Sequence, residues 1–331
     1  NIGIINPASI SNFNNLSFGI SYQINPEIEN GWLNDSPVKR NNQFLPQSVG
    51  AIYKFDNSSF GLGFNQQYNT KTEYNWNSSG NDPQDIAEFE GIVYSYSAVA
   101  AYTFNELFKQ NSKLVLGFNT TYNQVKFSQN DQGSLTELTD NAINFIFGIQ
   151  YIVKNDEDRE TSLGISYITN TKFESNYQTQ SGITVVIRKS DSYLSINNVQ
   201  AENIISGNIP DKINLDLAID LSTSIKLLAS GTGIFWEKDD NRLNDQFEFS
   251  LGSVYKINDM FSPAFSIYYT GRDYELVFFN LDEKFDAVFL IAGLKINCGI
   301  FYSDLVIADS HLFSGDYRKQ TIGKIAIGVQ L

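Results

Sequence analysis

The chain has 331 residues, 37 acidic against 23 basic side chains, a formal net charge of −14, and 14% aromatic residues. That charge argues against nucleic acid as a partner, because phosphates would be repelled. A single cysteine rules out an internal disulfide and paired-cysteine metal spacings, and no apolar run approaches the ~20 residues of a membrane-spanning helix. A transmembrane β-barrel stays open, since its strands need only about 9–11 residues each.

In chain order, Asn6-Pro7-Ala8 comes first as a short irregular segment. It leads directly into Leu16-Ser17-Phe18-Gly19-Ile20-Ser21-Tyr22-Gln23-Ile24, where apolar and polar residues alternate as on a strand with one face of each kind. The same alternation predicts about fourteen strands, near 15–25, 47–55, 59–69, 89–104, 113–127, 141–153, 161–173, 211–222, 224–236, 246–257, 262–272, 286–295, 298–310 and 320–331. The stretch from Ile213 to Leu221 is the clearest, with an apolar residue at every odd position and Asp216 and Asp220 among the even ones. On a soluble sandwich those carboxylates would face bulk water. In a barrel they face a wet lumen while the apolar residues face lipid.

The connections between these strands alternate between long and short. Long ones are expected at 26–46, 70–88, 128–140, 174–210, 237–245, 273–285 and 311–319. Short ones are expected at Asp56-Asn57-Ser58, 105–111, 154–160, near Thr223, at Asn258-Asp259 and at Asn297. Such sorting puts tight turns at one end and extended loops at the other, as in outer-membrane barrels. The closing run Ile325 to Leu331 keeps its odd positions apolar to the last residue, as expected of a strand read by barrel-insertion machinery. No positively charged stretch followed by an apolar core opens the chain, which reads as already processed or truncated, with any export signal out of view. The expectation is an all-β protein, a transmembrane antiparallel β-barrel of the bacterial outer membrane. Residues 1–13 would form an N-terminal luminal plug and residues 14–331 the barrel.

With that layout, the chain resembles the FadL family of outer-membrane transporters of long-chain fatty acids and other hydrophobic compounds. Three stretches carry the resemblance: Asn6-Pro7-Ala8 ahead of the first strand; Ile209-Pro210-Asp211, leading a mid-barrel strand whose partner ends in Phe235-Trp236; and Phe249-Ser250-Leu251-Gly252-Ser253-Val254-Tyr255 with the closing Gly328-Val329-Gln330-Leu331. The resemblance implies passive transport gated by a hatch at Asn6, Pro7 and Ala8. It also implies a kink in the third strand that opens a side door to the membrane, for which Gly61 and Gly63 are the candidates. Family members have a longer plug before this motif, and the loops here are compact. An NPA-like start also occurs in secretion-linked barrels, so a structural or secretion-associated barrel that binds protein partners is the alternative function.

Apolar residues in predicted extracellular loops are candidates for capturing a hydrophobic ligand: Trp32, Leu33, Phe44, Val186, Phe278 and Phe279, with Arg188 placed to meet a carboxylate. Loop packing or an aromatic girdle at the membrane surface would account for the same residues. The partners expected are a hydrophobic small molecule, outer-membrane lipid and lipopolysaccharide. No catalytic residue, cofactor or metal is expected. Asp309-Ser310-His311 has the residue types of a hydrolytic triad, but neighbours on a strand face opposite ways. The acidic run Asp239, Asp240, Asn244, Asp245 lacks EF-hand spacing and reads as a solvated loop.

Overall fold

The computed structural model describes residues 5–13, 15–25, 28–33, 36–40, 43–75, 86–131, 134–176, 185–189, 192–198, 204–235, 245–271, 287–314 and 320–331. A short 3-10 helix of two turns, Pro7–Asn12, is the first described element. Strand β1 (Leu16–Asn25) follows, then a hairpin of β2 (Ile28–Leu33) and β3 (Ser36–Arg40). Next come β4 (Gln43–Phe55), β5 (Ser58–Asn75), β6 (Ile86–Asn105), β7 (Ser112–Asp131), β8 (Ser134–Lys154) and β9 (Glu160–Ile168). The longest predicted loop holds β10 (Thr171–Asn176), β11 (Val185–Lys189), β12 (Ser192–Asn198) and β13 (Ile204–Ile209). The wall resumes with β14 (Asp211–Asp220), β15 (Ile225–Phe235), β16 (Gln246–Tyr255), β17 (Phe261–Thr270), β18 (Ala287–Cys298), β19 (Phe301–Asp309) and β20 (Thr321–Gln330).

Fourteen of these strands, β1, β4 to β9 and β14 to β20, form a closed antiparallel barrel. β20 pairs with β1 over Ser17–Gln330 to Ile24–Gly323, and this ladder closes the wall. Leu16 and Leu331 exchange backbone hydrogen bonds at the same end. Tyr302 lies on the inner side of that seam, where a Cβ on Gly19 would stand 2.9 Å from its hydroxyl.

Alternation decides which face each residue takes. Outward positions carry exposed apolar side chains on every part of the wall, among them Phe18, Leu62, Phe118, Phe147, Leu215, Leu251, Phe265 and Ile327. An apolar surface this continuous belongs in lipid. Inward positions are polar or small, including Ser95, Ser97, Asn119, Thr121, Asn123, Ser166 and Asn214, all buried.

Three expectations need correction. The region 128–140 is not a long loop, because β7 and β8 stay paired out to Asp131–Ser134. The seventh wall strand stops at Ile168 rather than 173. Residues 171–176 leave the wall as β10 and pair with β13 in a separate four-stranded sheet ordered β10-β13-β12-β11. The turn placed at Asn297 falls at Gly299-Ile300, where Gly299 takes φ +64, a conformation that suits glycine.

Candidate functional site

The N-terminal turn packs against the inner face of the wall. Pro7 presets the first helical φ, and Asn6 caps the turn by accepting a hydrogen bond from the Ala8 amide at 3.0 Å. Asn6, Pro7, Ala8, Ile10 and Ser11 are all buried.

Two surfaces receive this turn. The first is a set of inward glycines on three consecutive strands, Gly117 of β7, Gly148 of β8 and Gly164 of β9. A Cβ on Gly117 would overlap the backbone of Pro7 and Ala8, and one on Gly148 would overlap the Asn6 amide and stand 2.7 Å from Pro7 Cδ. One on Gly164 would stand 2.9 Å from Asn6 Nδ2. Side chains at these positions would therefore push the turn off the wall. Polar groups complete the fit. Asn6 Nδ2 donates to the Ile149 carbonyl at 3.3 Å, and Ser166 Oγ donates to the Ile5 carbonyl at 2.6 Å. Behind Ser166 a hydrogen-bonded belt runs along the inner wall. Asn214 Nδ2 donates to Ser166 Oγ at 3.1 Å, and Thr232 Oγ1 donates to Asn214 Oδ1 at 2.9 Å.

The second surface is apolar. Ala8 and Ile10, both wholly buried, pack with Ile52 of β4, Val99 and Ala101 of β6 and Val115 of β7, and Phe13 covers the edge. Lys54 Nζ reaches across to donate to the Ser11 carbonyl at 2.7 Å, and Asn12 Nδ2 donates to Gln150 Oε1 at 3.3 Å.

Gly61 and Gly63, the side-door candidates, lie on β5. Both glycines sit in regular ladder, Gly61 between Ile52 and Val99 and Gly63 between Gly50 and Ser97. The irregularity in β5 falls just beyond them, between Gln66 and Tyr68. At the same level β4 carries its own register shift, opposite Ser21 and Tyr22 of β1. Among the described residues β4 and β5 share no ladder pair past Ser48–Asn65, so two bulges flank a break in the wall. Gln47 Nε2 donates to Gln23 Oε1 beside it at 2.8 Å.

The ligand-capture candidates are placed only in part. Trp32 and Leu33 lie in β2, Phe44 in β4, and Val186 and Arg188 in β11, with side chains outside the described residues. Phe278 and Phe279 lie outside the described residues altogether, as do Asp239, Asp240 and Asn244. An apolar pair not singled out by sequence, Leu312 and Phe313, stands exposed in the turn after β19. Its bracing comes from Ser314 Oγ, which accepts from the Val288 amide at 2.9 Å, and from Thr321 Oγ1, which donates to Asp309 Oδ2 at 2.6 Å. His311 Nδ1 lies 3.0 Å from that same carboxylate oxygen, while Ser310 Oγ donates instead to the Gln320 carbonyl. The three residues do not form a relay.

Among solved structures, the toluene transporter TodX of P. putida aligns over 99% of this chain and 94% of its own, with TM-score 0.65 and 12% identity. A Pseudomonas aeruginosa FadL homologue aligns over 98% and 92%, with TM-score 0.63 and 13% identity. The chain has the FadL-type outer-membrane barrel fold. At these identities the likeness is one of fold alone. No protein-family model and no curated protein matches the sequence.

Proposed function

We propose that the protein is a passive outer-membrane channel for hydrophobic small molecules, long-chain fatty acids among them, and that the N-terminal turn gates it. The observation that carries this reading is the fitted seat: three inward glycines admit Asn6, Pro7 and Ala8 to the wall, which a bare pore has no need of. A fourteen-stranded barrel without such a segment would leak small polar solutes. The solved structures with this fold include one named as a toluene transporter, which supports a hydrophobic passenger.

In this reading residues 1–13 act as the hatch. The passenger lands on the long-loop end, where Trp32, Leu33, Phe44, Val186, Arg188, Phe278 and Phe279 serve as capture residues, with Leu312 and Phe313 added. It leaves sideways through the break between β4 and β5. The test compares uptake of labelled fatty acid and toluene by vesicles with and without the protein, and leak of a small sugar with residues 1–12 deleted. Uptake above empty vesicles, with a leak that rises on deletion, is expected. Equal uptake with and without the protein would overturn the transport reading, and an unchanged leak would overturn the gate.

A further inference from the structure

The turn is held unequally by its two surfaces. On β7 to β9 the turn makes its own polar contacts: Asn6 to Ile149 and Ala8, and Ile5 to Ser166. On the other surface three hydroxyls are unmatched. Ser17 Oγ, Ser59 Oγ and Thr103 Oγ1 are buried with no hydrogen-bond partner. Their residues are exposed by only 2%, 0% and 7%.

These three have one placement in common. Each stands directly across the ladder from a residue of the apolar bed beneath Ala8 and Ile10: Ser17 from Ile52, Ser59 from Ala101, Thr103 from Val115. Ser59 is also the ladder partner of Lys54, whose ammonium holds the Ser11 carbonyl. The hydroxyls thus lie beside the footprint of the second half of the turn. A buried hydroxyl without a partner raises the energy of the state that buries it, and the penalty disappears when water reaches it.

We infer that the closed gate is deliberately loaded on this side. The turn opens from its Ile10–Ser11 end, lifting off the bed beside these hydroxyls and pivoting on the seated Asn6 and Pro7, and hydration of Ser17, Ser59 and Thr103 favours the open form. Lys54 then acts as the latch, since its bond to Ser11 must break together with the longer one from Asn12 to Gln150. The inference rests on the gating reading and adds the direction in which the gate moves and the groups that set its balance.

The test exchanges the hydroxyls for shapes that need no partner. In the full-length protein in vesicles, amide exchange is followed by mass spectrometry on the peptide covering residues 5–13, for wild type, the double variant Ser59→Ala/Thr103→Val, and Thr103→Ser. The double variant is expected to exchange several-fold more slowly and to take up hydrophobic probe several-fold more slowly, because its closed state no longer buries two unmet groups. Thr103→Ser, which keeps the hydroxyl, is expected to match wild type. Exchange in the double variant that is unchanged or faster would overturn the inference. So would equal slowing by Thr103→Ser, which would trace the effect to packing. The exchange readout does not depend on transport, so a protein that moves no hydrophobic probe fails the functional reading through the uptake arm alone.

Discussion

The two halves of the N-terminal turn rest on surfaces of opposite character. Asn6, Pro7 and Ala8 meet three glycines and matched hydrogen bonds, with Gly117 against the backbone of Pro7 and Ala8 and the other two against Asn6 and the Pro7 ring. Ile10 and Ser11 meet an apolar bed beside unpartnered hydroxyls, with Lys54 as a tie. The first surface specifies where the turn sits. The second provides burial energy, offset by the unmet polar groups. A gate needs both properties, because a segment that is uniformly well bound would not move and one that is uniformly loose would not seal.

Substitutions on each side test this division. The largest effect is expected from Ile10→Ala, which empties a wholly buried site and removes about 2–5 kcal/mol of packing from the turn. Exchange of residues 5–13 should rise by more than tenfold, since about 1.4 kcal/mol corresponds to a factor of ten. Asn6→Ala comes next. It removes the cap on Ala8 and the bond to Ile149, and should weaken seating by about 0.5–2 kcal/mol, read as greater sugar leak without loss of the barrel's heat resistance on gels. Lys54→Gln should have a smaller effect still. The amide can still donate to Ser11 but lacks the charge, and a modest rise in hydrophobic uptake with little change in sugar leak is expected.

The smallest effect is a baseline at a short turn remote from both surfaces. Lys256 Nζ lies 2.7 Å from Asp259 Oδ1, and this hydrogen bond and its charge hold the Asp259 carboxyl below the usual carboxylate range. A lowered value in the folded state stabilises the turn above the ordinary carboxylate pKa and is lost as the pH falls through the lowered one. Asp259 is fully exposed, so acid should lower protection, taken relative to the intrinsic exchange rate at each pH, only within 257–260 and leave the protection of residues 5–13 unchanged.

The barrel was legible in the sequence because a wall with lipid outside and water inside imposes period-two alternation on every strand. Ile213 to Leu221 showed it plainly, and β14 lies there. The sheet of β10 to β13 was not legible, since its strands are not part of the barrel wall and escape that constraint. The outer reach of β7 and β8 was missed for the same reason. Taken one strand at a time, Gly117, Gly148 and Gly164 cannot be told from ordinary strand glycines. Their meaning depends on register. Only when β7, β8 and β9 are aligned do the three face one patch of lumen, and only then does the turn have a place to sit. Inward parity on three successive strands was the available signal.

The central claim, that Asn6, Pro7 and Ala8 close the lumen by resting on glycines, is tested most directly by planar-bilayer conductance of wild type against Gly117→Ala. The added methyl would overlap the backbone of Pro7 and Ala8, which no side-chain rotation relieves. A closed wild type and a variant with frequent long openings are predicted. Equal, closed behaviour of the two proteins would contradict the account.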